Sequence, residues 1–390
     1  MYVLENLDWN SDIKQNAGCM KFQVDRQSFH KAINTVESII PAREIRSIIS
    51  NILIEAEGNR ITLTATDLEI GIKTSIEVEP GRAGSLTLPA KKLSQAVREF
   101  RGSTISFEAD DSNHIVLQDA SGKSRARIML MGTPSDEYPV IPTLPESNYT
   151  KIPVAVCQEM IRKTSYAMAE EDARYVFNGL YIKNDGKTVT FVSTDGRRLS
   201  RIKREFPEKL PLSGGVIIPN KAVRELQKLL DSDQEGKLAF EERDRRVYLR
   251  IGAVDLISKL IDGQFPDYEQ VIPAKVSHEV AVERQTIENS LRQVSVMAAE
   301  PSRQVRLTFA SDGLSIAAQT PDIGEAQDTF EIDYSGEEVT IAFNSNYLMD
   351  VIKVVSSQDL RVGFSSGSAP AIVKDPEDMD FIAVIMPMKL

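Results

Sequence analysis

Cysteine, histidine and tryptophan are nearly missing from this 390-residue chain, which holds two Cys, three His and one Trp. Cys19 and Cys157 cannot make a disulfide framework or a four-thiolate zinc site, and a reducing cytoplasm suits them. His30, His114 and His278 stand far apart and form no H-x-x-x-H pair, so no metal site is expected. No apolar run approaches the roughly 18 residues that span a bilayer. The opening MYVLENLDWN lacks a basic stretch followed by an apolar one, so no signal peptide and no membrane partner are expected. Positive charge is also short, since 46 Lys+Arg against 57 Asp+Glu leave a net charge of -11. That excludes coating nucleic acid by bulk attraction, though a basic stripe on an acidic body stays open. Phosphate-cradling turns of the G-x-x-x-x-G-K-[ST] or G-x-G-x-x-G kind are absent too. Asp110–Asp111 and Glu170–Glu171–Asp172 read as solvated loop charges, and Cys157 as a small core residue. Neither a catalytic residue nor a cofactor is indicated, so the chain does not read as an enzyme.

What is present is ordinary globular material, 42% hydrophobic and 26% charged, in a length that suits two or three domains. A long internal repeat organises it. A strand running into an amphipathic helix occurs as KFQVDRQSFHKAINTVESII from Lys21, KIPVAVCQEMIRKTSYAM from Lys151 and HEVAVERQTIENSLRQVSVM from His278. A strand and polar turn follow each time: LTATDLEIG at 63–71, FVSTDGRRLS at 191–200 and IAAQTPDIGEA at 316–326. A second strand-to-helix unit comes next: LTLPAKKLSQAVREF at 86–100, VIIPNKAVRELQKLL at 216–230 and VTIAFNSNYLMDVIKVV at 339–355. The first two repeats close alike, with EYPVIP at 137–142 and DYEQVIP at 267–273. Asp67 and Asp195 are 128 residues apart, and Asp195 and Asp322 are 127 apart. This period is too long for a solenoid and implies three homologous domains, 20–145, 146–275 and 276–390, behind an extension at 1–19 that matches none of them. Within a repeat, Ile61, Leu63 and Ala65 alternate with Thr62, Thr64 and Thr66 as in a half-buried strand. Leu93, Ala96, Val97 and Phe100 share one helical face. Each domain is therefore α+β, two helices against antiparallel sheet.

The polar side of the second helix also repeats. Lys91, Gln95 and Arg98 lie opposite Leu93 and Val97, and Lys221, Arg224 and Lys228 lie opposite Leu226 and Leu230. Aligning Pro89 with Pro219 superposes Lys91 on Lys221 and Arg98 on Lys228. Such a stripe suits loose, sequence-independent contact with phosphates. In the third repeat Ser345 and Ile352 are expected at those places, with Lys353 adjacent.

Five segments in order on this frame, RYVFNGL at 174–180, STDGRRL at 193–199, SKLIDGQFPDY at 258–268, FNSNY at 343–347 and VIMPMKL at 384–390, carry a resemblance. Over residues 20–390 the chain resembles the bacterial DNA polymerase III beta subunit, the beta sliding clamp. The resemblance implies a head-to-tail homodimer, six domains in a ring with twelve helices around duplex DNA. It implies a DNA sliding clamp that tethers the polymerase III catalytic subunit, is set on DNA by a clamp loader, and serves other polymerases and repair proteins carrying short clamp-binding peptides. Carried over to this sequence, the peptide pocket would comprise Arg174, Phe177, Thr194, Gly196, Arg197, Arg198, Leu199, Pro266, Gln270, Val271, Asn344, Tyr347, Val384, Ile385, Met386, Pro387, Met388 and Leu390. Gln270 stands where a basic residue is common in the family, and Arg197 where His is common. Arg43 and Tyr175 would join the basic stripe on DNA, whereas Glu170 and Glu171 place acids where DNA contact is expected. Ala126 and Ile128 would form an edge strand continuing the partner's sheet, with Val296 and Met297 as an apolar cap. The alternative is a diverged clamp-like interaction scaffold that does not retain DNA.

Overall fold

A computed structural model describes residues 20–41, 48–142, 150–212, 214–232 and 237–390. The extension 1–19 and Arg43 lie outside the described residues. The chain divides into two compact units, residues 1–146 with 248–258, and residues 147–247 with 259–390.

In the first unit, strand Lys21–Asp25 alternates as its sequence requires, with Phe22 and Val24 buried. Asp25 ends it and caps helix α1 (Arg26–Glu37), its carboxylate accepting the Ser28 N–H at 2.8 Å. Phe29, Ile33 and Val36 are fully buried on one face of α1, each worth roughly 1.5–3 kcal/mol of apolar transfer. Helix α2 (Ala90–Glu99) buries Ala90, Leu93, Ala96 and Val97. It packs beside α1, where Ser94 Oγ donates to Asn34 Oδ1 at 3.2 Å. One sheet has strand order 79–82, 21–25, 104–109, 114–119, 127–131. In the other, strands 133–134, 84–89, 51–57, 60–66 and 70–77 follow in order, and Val254–Lys259 pairs with the last, Leu256 opposite Ile72.

The second unit holds α3 (Val154–Thr164), α4 (Asn220–Ser232), α5 (Arg284–Val294) and α6 (Ser345–Val354). An eight-stranded antiparallel sheet runs 216–219, 179–185, 188–194, 198–205, 378–385, 371–375, 359–364, 278–283. Its middle step joins the second repeat to the third, because Arg198–Glu205 pairs with Asp378–Ile385. A four-stranded sheet of the third repeat runs 324–330, 313–320, 304–310, 339–344. Beneath the eight-stranded sheet lies a buried charge cluster. Lys163 of α3, 1% exposed, places Nζ 2.6 Å from Asp378, 3.4 Å from Asp375 and 3.5 Å from Glu159. Arg204 joins Asp378 and Glu159 at 2.6 and 2.7 Å. Cys157 is buried in α3 and burial pushes its thiol up to about 12, so it fills the core rather than attacking anything.

No helix among the described residues is long and apolar enough to cross a membrane. No group of three or more His, Cys, Asp or Glu among them is arranged to hold a metal ion.

Candidate partner groove, helix faces and edge strands

Several of the expected groove residues come together in the second unit because one strand register places them. Arg198 faces Ile385 and Leu199 faces Val384 across the central ladder. The chain beyond that ladder stays tethered: Met386 N–H donates to the Arg197 carbonyl at 2.8 Å, and Met388 N–H to the Ala342 carbonyl at 2.7 Å. One wall is the turn after strand Thr188–Thr194. Asp195 Oδ1 accepts the Arg197 and Arg198 N–H groups at 2.9 and 3.0 Å, and Thr194 Oγ1 donates to the Arg198 carbonyl at 2.6 Å. Gly196 sits at φ +81°, and a Cβ there would lie 2.7 Å from Arg174 Nη2, so both backbone and space require glycine.

Arginines organise the polar rim. Arg174 is held in two bonds of 2.9 Å by Asp172 and lies 4.5 Å over the Phe177 ring. Those bonds, with the Arg174 charge, hold the Asp172 carboxyl down at about 2. Arg198 bonds Asp195 at 3.0 Å and Asp350 of α6 at 2.6 Å, and stacks 4.4 Å over Tyr347 and 5.5 Å over Tyr166. Arg197 is exposed and forms no ion pair among the described residues. Gln270 turns back on Asp267 at 3.0 Å, and Asn344 caps α6 while its amide donates to Ser302.

Not all the expected lining residues reach the surface. Phe177, Leu199, Val384 and Ile385 are buried, three of them within one cluster with Phe265, Tyr268 and Ile382. They support the groove from below. Of the expected apolar lining residues, Val271 at 44%, Met386 at 39% and Leu390 at 70% exposure, with exposed Pro266 and half-buried Tyr347, Pro387 and Met388, are the ones left accessible. Sequence reasoning passed over Tyr166, Asp172 and Asp350. Asp350 stands one helical turn after Tyr347, the only signal that pointed to it.

On the helices, Lys91, Arg98, Lys221, Arg224 and Lys228 are all exposed. Arg98 pairs with Glu99 at 3.1 Å, Arg224 with Glu170 at 2.7 Å and Lys228 with Glu225 at 2.7 Å. Glu225 is buried, but the other two pairs are exposed and worth about 0–1 kcal/mol, so an approaching phosphate can take over Arg98 or Arg224. Glu170 and Asp172 are thus ion-pair partners rather than merely solvated charges. The third repeat also corrects the sequence register. Ser345 and Ile352 are buried, at 3% and 2% exposure. The residue before each helix is Pro89 for α2 and Asn344 for α6, so the positions of Lys91 and Arg98 fall on Asn346 and Lys353, both exposed. The cation at the second position therefore recurs in all three repeats. Tyr175 is 57% exposed beside Gly263.

Two outer strands bear on the expected seam. Strand Arg127–Met131, with exposed Met129 and Met131, is the outer strand of its sheet; Ala126 precedes it, and Ile128 is half-buried. Strand Gly324–Phe330 is the outer strand of the four-stranded sheet, unnoticed in the sequence. Val296, 77% exposed, and Met297 stand beside it: the Met297 carbonyl accepts from Thr320 Oγ1 at 2.8 Å, and its sulfur approaches Gly324.

Three family models of the DNA polymerase III beta subunit match this chain in order, the N-terminal domain over 20–142, the central domain over 151–267 and the C-terminal domain over 269–389. The chain belongs to the DNA polymerase III beta subunit family, the beta sliding clamps. It is 30% identical over 373 residues to the beta sliding clamp of Pseudomonas putida, covering 95% of this chain and all of that one. Its fold matches a crystal structure of the Caulobacter crescentus clamp at a TM-score of 0.90 and 30% identity, over 96% of this chain and all of that one. A Pseudomonas aeruginosa clamp crystallised with griselimycin matches at 0.88 and 29% identity, over 96% and 100%. The chain is thus a DNA sliding clamp that tethers the polymerase, a processivity factor and not an enzyme. The scaffold alternative is not favoured, because all three clamp domains match.

Proposed function

We propose that two copies close head to tail into a six-domain ring. Its bore presents Lys91, Arg98, Lys221, Arg224 and Lys228, with Arg43, Tyr175 and Lys353, to the phosphates of duplex DNA. Contacts by Lys and Arg to phosphate carry no sequence information, and their weakness lets the ring slide. Processivity then comes from tethering: a polymerase held to a closed ring stays at high effective concentration near the primer end. Partners dock as short peptides in the groove walled by Arg174, Thr194–Arg198, Pro266, Gln270, Val271, Asn344, Tyr347 and Met386–Leu390. The pairing of Arg198–Glu205 with Asp378–Ile385 supports this most directly, since it sets two flexible methionines beside an arginine-lined turn. The polymerase III catalytic subunit, the clamp loader, other polymerases and repair proteins would share that groove in the cytoplasm.

At the ring's two seams, strand Arg127–Met131 with Ala126 and Ile128 pairs with strand Gly324–Phe330 of the other copy, capped by Val296 and Met297. These two outer strands are then covered, which removes two edges open to nonspecific pairing. Charge supports the match, with Lys123, Arg125 and Arg127 on one edge and Glu325 and Asp328 on the other.

Topology gives the test. The protein is loaded on nicked circular plasmid with a clamp loader and ATP, and half the sample is then linearised. Retention on circles with rapid loss from linear DNA is expected. Equal retention on both would mean ordinary surface binding and would remove the bore assignment.

A further inference from the structure

The first repeat carries the same turn as the groove wall, bond for bond. Thr66 Oγ1 donates to the Ile70 carbonyl at 2.8 Å and accepts the Leu68 N–H at 2.9 Å. Asp67 Oδ1 accepts the Glu69 and Ile70 N–H groups at 3.0 and 2.7 Å. Thr194 and Asp195 do this for Gly196, Arg197 and Arg198. The difference is at the third residue. Where the groove has Gly196 at φ +81°, the first repeat has Leu68 at φ +77°. A leucine there costs about 1–2 kcal/mol in backbone strain, and its side chain gains no burial in return, being 53% exposed.

A second exposed apolar residue belongs to a segment packed on the strands that flank this turn. Tyr138 donates to the Asn51 carbonyl and accepts the Thr66 N–H at 3.2 Å, while Ile141 packs on Gly71. The segment between them holds Val140, 95% exposed, which matches groove residue Val271 in the shared closing motif. Glu69 adjoins Leu68 in the chain, and Asp136 and Glu137 precede Val140 by four and three residues; all three are exposed and form no ion pair among the described residues. The groove turn carries Arg197 and Arg198, whereas the chain beside Leu68 and Val140 carries these three carboxylates.

We propose that the Leu68–Val140 corner is a second docking point, for a peptide whose apolar anchor is flanked by lysine or arginine. Strain retained at an exposed apolar residue marks a contact that must be presented rather than buried. The carboxylate collar selects the basic flank. The inference rests on the groove reading only for the equivalence of the two turns.

Fluorescence polarisation with two labelled hexapeptides, KKLFKK and DDLFDD, tests it on the full chain at physiological ionic strength. KKLFKK is expected to bind, and Leu68→Gly with Val140→Ser to weaken it at least fivefold while leaving DDLFDD unchanged. DDLFDD reports the groove and is expected to weaken at least fivefold in Met386→Ala with Met388→Ala. No binding of KKLFKK, or binding that the corner substitutions leave unmoved, overturns the second site. DDLFDD indifferent to the methionine pair counts against the groove alone. Leu68→Gly by itself should raise the melting temperature by about 2 °C as strain is relieved; a lower melting temperature would remove the strain argument.

Discussion

Arg198 and Asp350 lie 152 residues apart in the chain, yet Arg198 Nη1 sits 2.6 Å from Asp350 Oδ2. One comes from a strand of the second repeat and the other from α6 of the third. The same guanidinium bonds Asp195 and lies over the rings of Tyr347 and Tyr166. A single side chain thus holds the turn, the helix and Tyr347 of the groove in one geometry.

Arg198→Ala should weaken binding of a groove peptide about tenfold. It should also cost about 1–3 kcal/mol of stability, because Asp195 and Asp350 lose a shared partner of low exposure. Arg198→Lys should not restore the affinity, since an ammonium lacks the planar spread that reaches Asp195 by Nε and Asp350 by Nη1 and cannot stack flat on tyrosine. Polarisation titration with parallel thermal denaturation checks both; full rescue by lysine would reduce the role to bare charge.

Gly196→Ala tests the turn from the other side. The left-handed backbone opposes any side chain at roughly 1 kcal/mol, and the new Cβ would press on Arg174 Nη2 and Nη1. Displacing Arg174 removes the bonds that keep the Asp172 carboxyl low. The Asp172 titration should therefore move up from about 2 toward the ordinary carboxylate range, as followed by carboxyl carbon NMR. An unmoved titration would mean that Arg174 stays in place.

Much of this frame was legible in the sequence, because repetition and periodicity are local signals. The alternation of Ile61, Leu63 and Ala65 and the spacing of Leu93, Ala96 and Val97 both report which face is buried. The expected groove rested on resemblance alone, and the polar wiring between its residues had no signal. Asp350 has no periodic relation to Arg198, and Asp172 looked like any loop acid. The third repeat slipped by one residue because proline marks the helix start in α2 and α4, whereas Asn344 does so in α6. Strand Gly324–Phe330, with only half-exposed or exposed positions, carries no apolar alternation to betray an open edge.

The buried cluster around Lys163 gives a pH dependence. Burial raises the Asp375 and Asp378 carboxyls, but their hydrogen bonds and the cations Lys163 and Arg204 outweigh it, leaving both below the ordinary value of 3.8. Depressed carboxyls stabilise the fold above that value and lose their contribution as pH falls below it. Asp378→Asn should therefore destabilise most at neutral pH, with the gap to the unchanged protein narrowing below about pH 4. Lys163→Met should cost about 3–5 kcal/mol, since it leaves the fully buried Asp375 without a cation. Urea unfolding at several pH values reads both, and a gap independent of pH would show that the pairing is not the cause.

The seam can be tested by breaking and then remaking it. Val296→Glu with Met297→Glu should give monomers of 43.4 kDa, because two carboxylates would enter a patch that must go dry. Reversing Glu325 and Asp328 to lysine sets like charges against Arg125 and Arg127 of the other copy and should also favour monomers. Adding Arg125→Glu and Arg127→Glu to that variant restores opposite signs across the seam, with no other surface altered. Recovery of the dimer by sedimentation velocity in the fourfold variant is the expected result, since steering and register follow the product of charges rather than their sign. A dimer that survives the lysine pair alone would assign the seam to other strands.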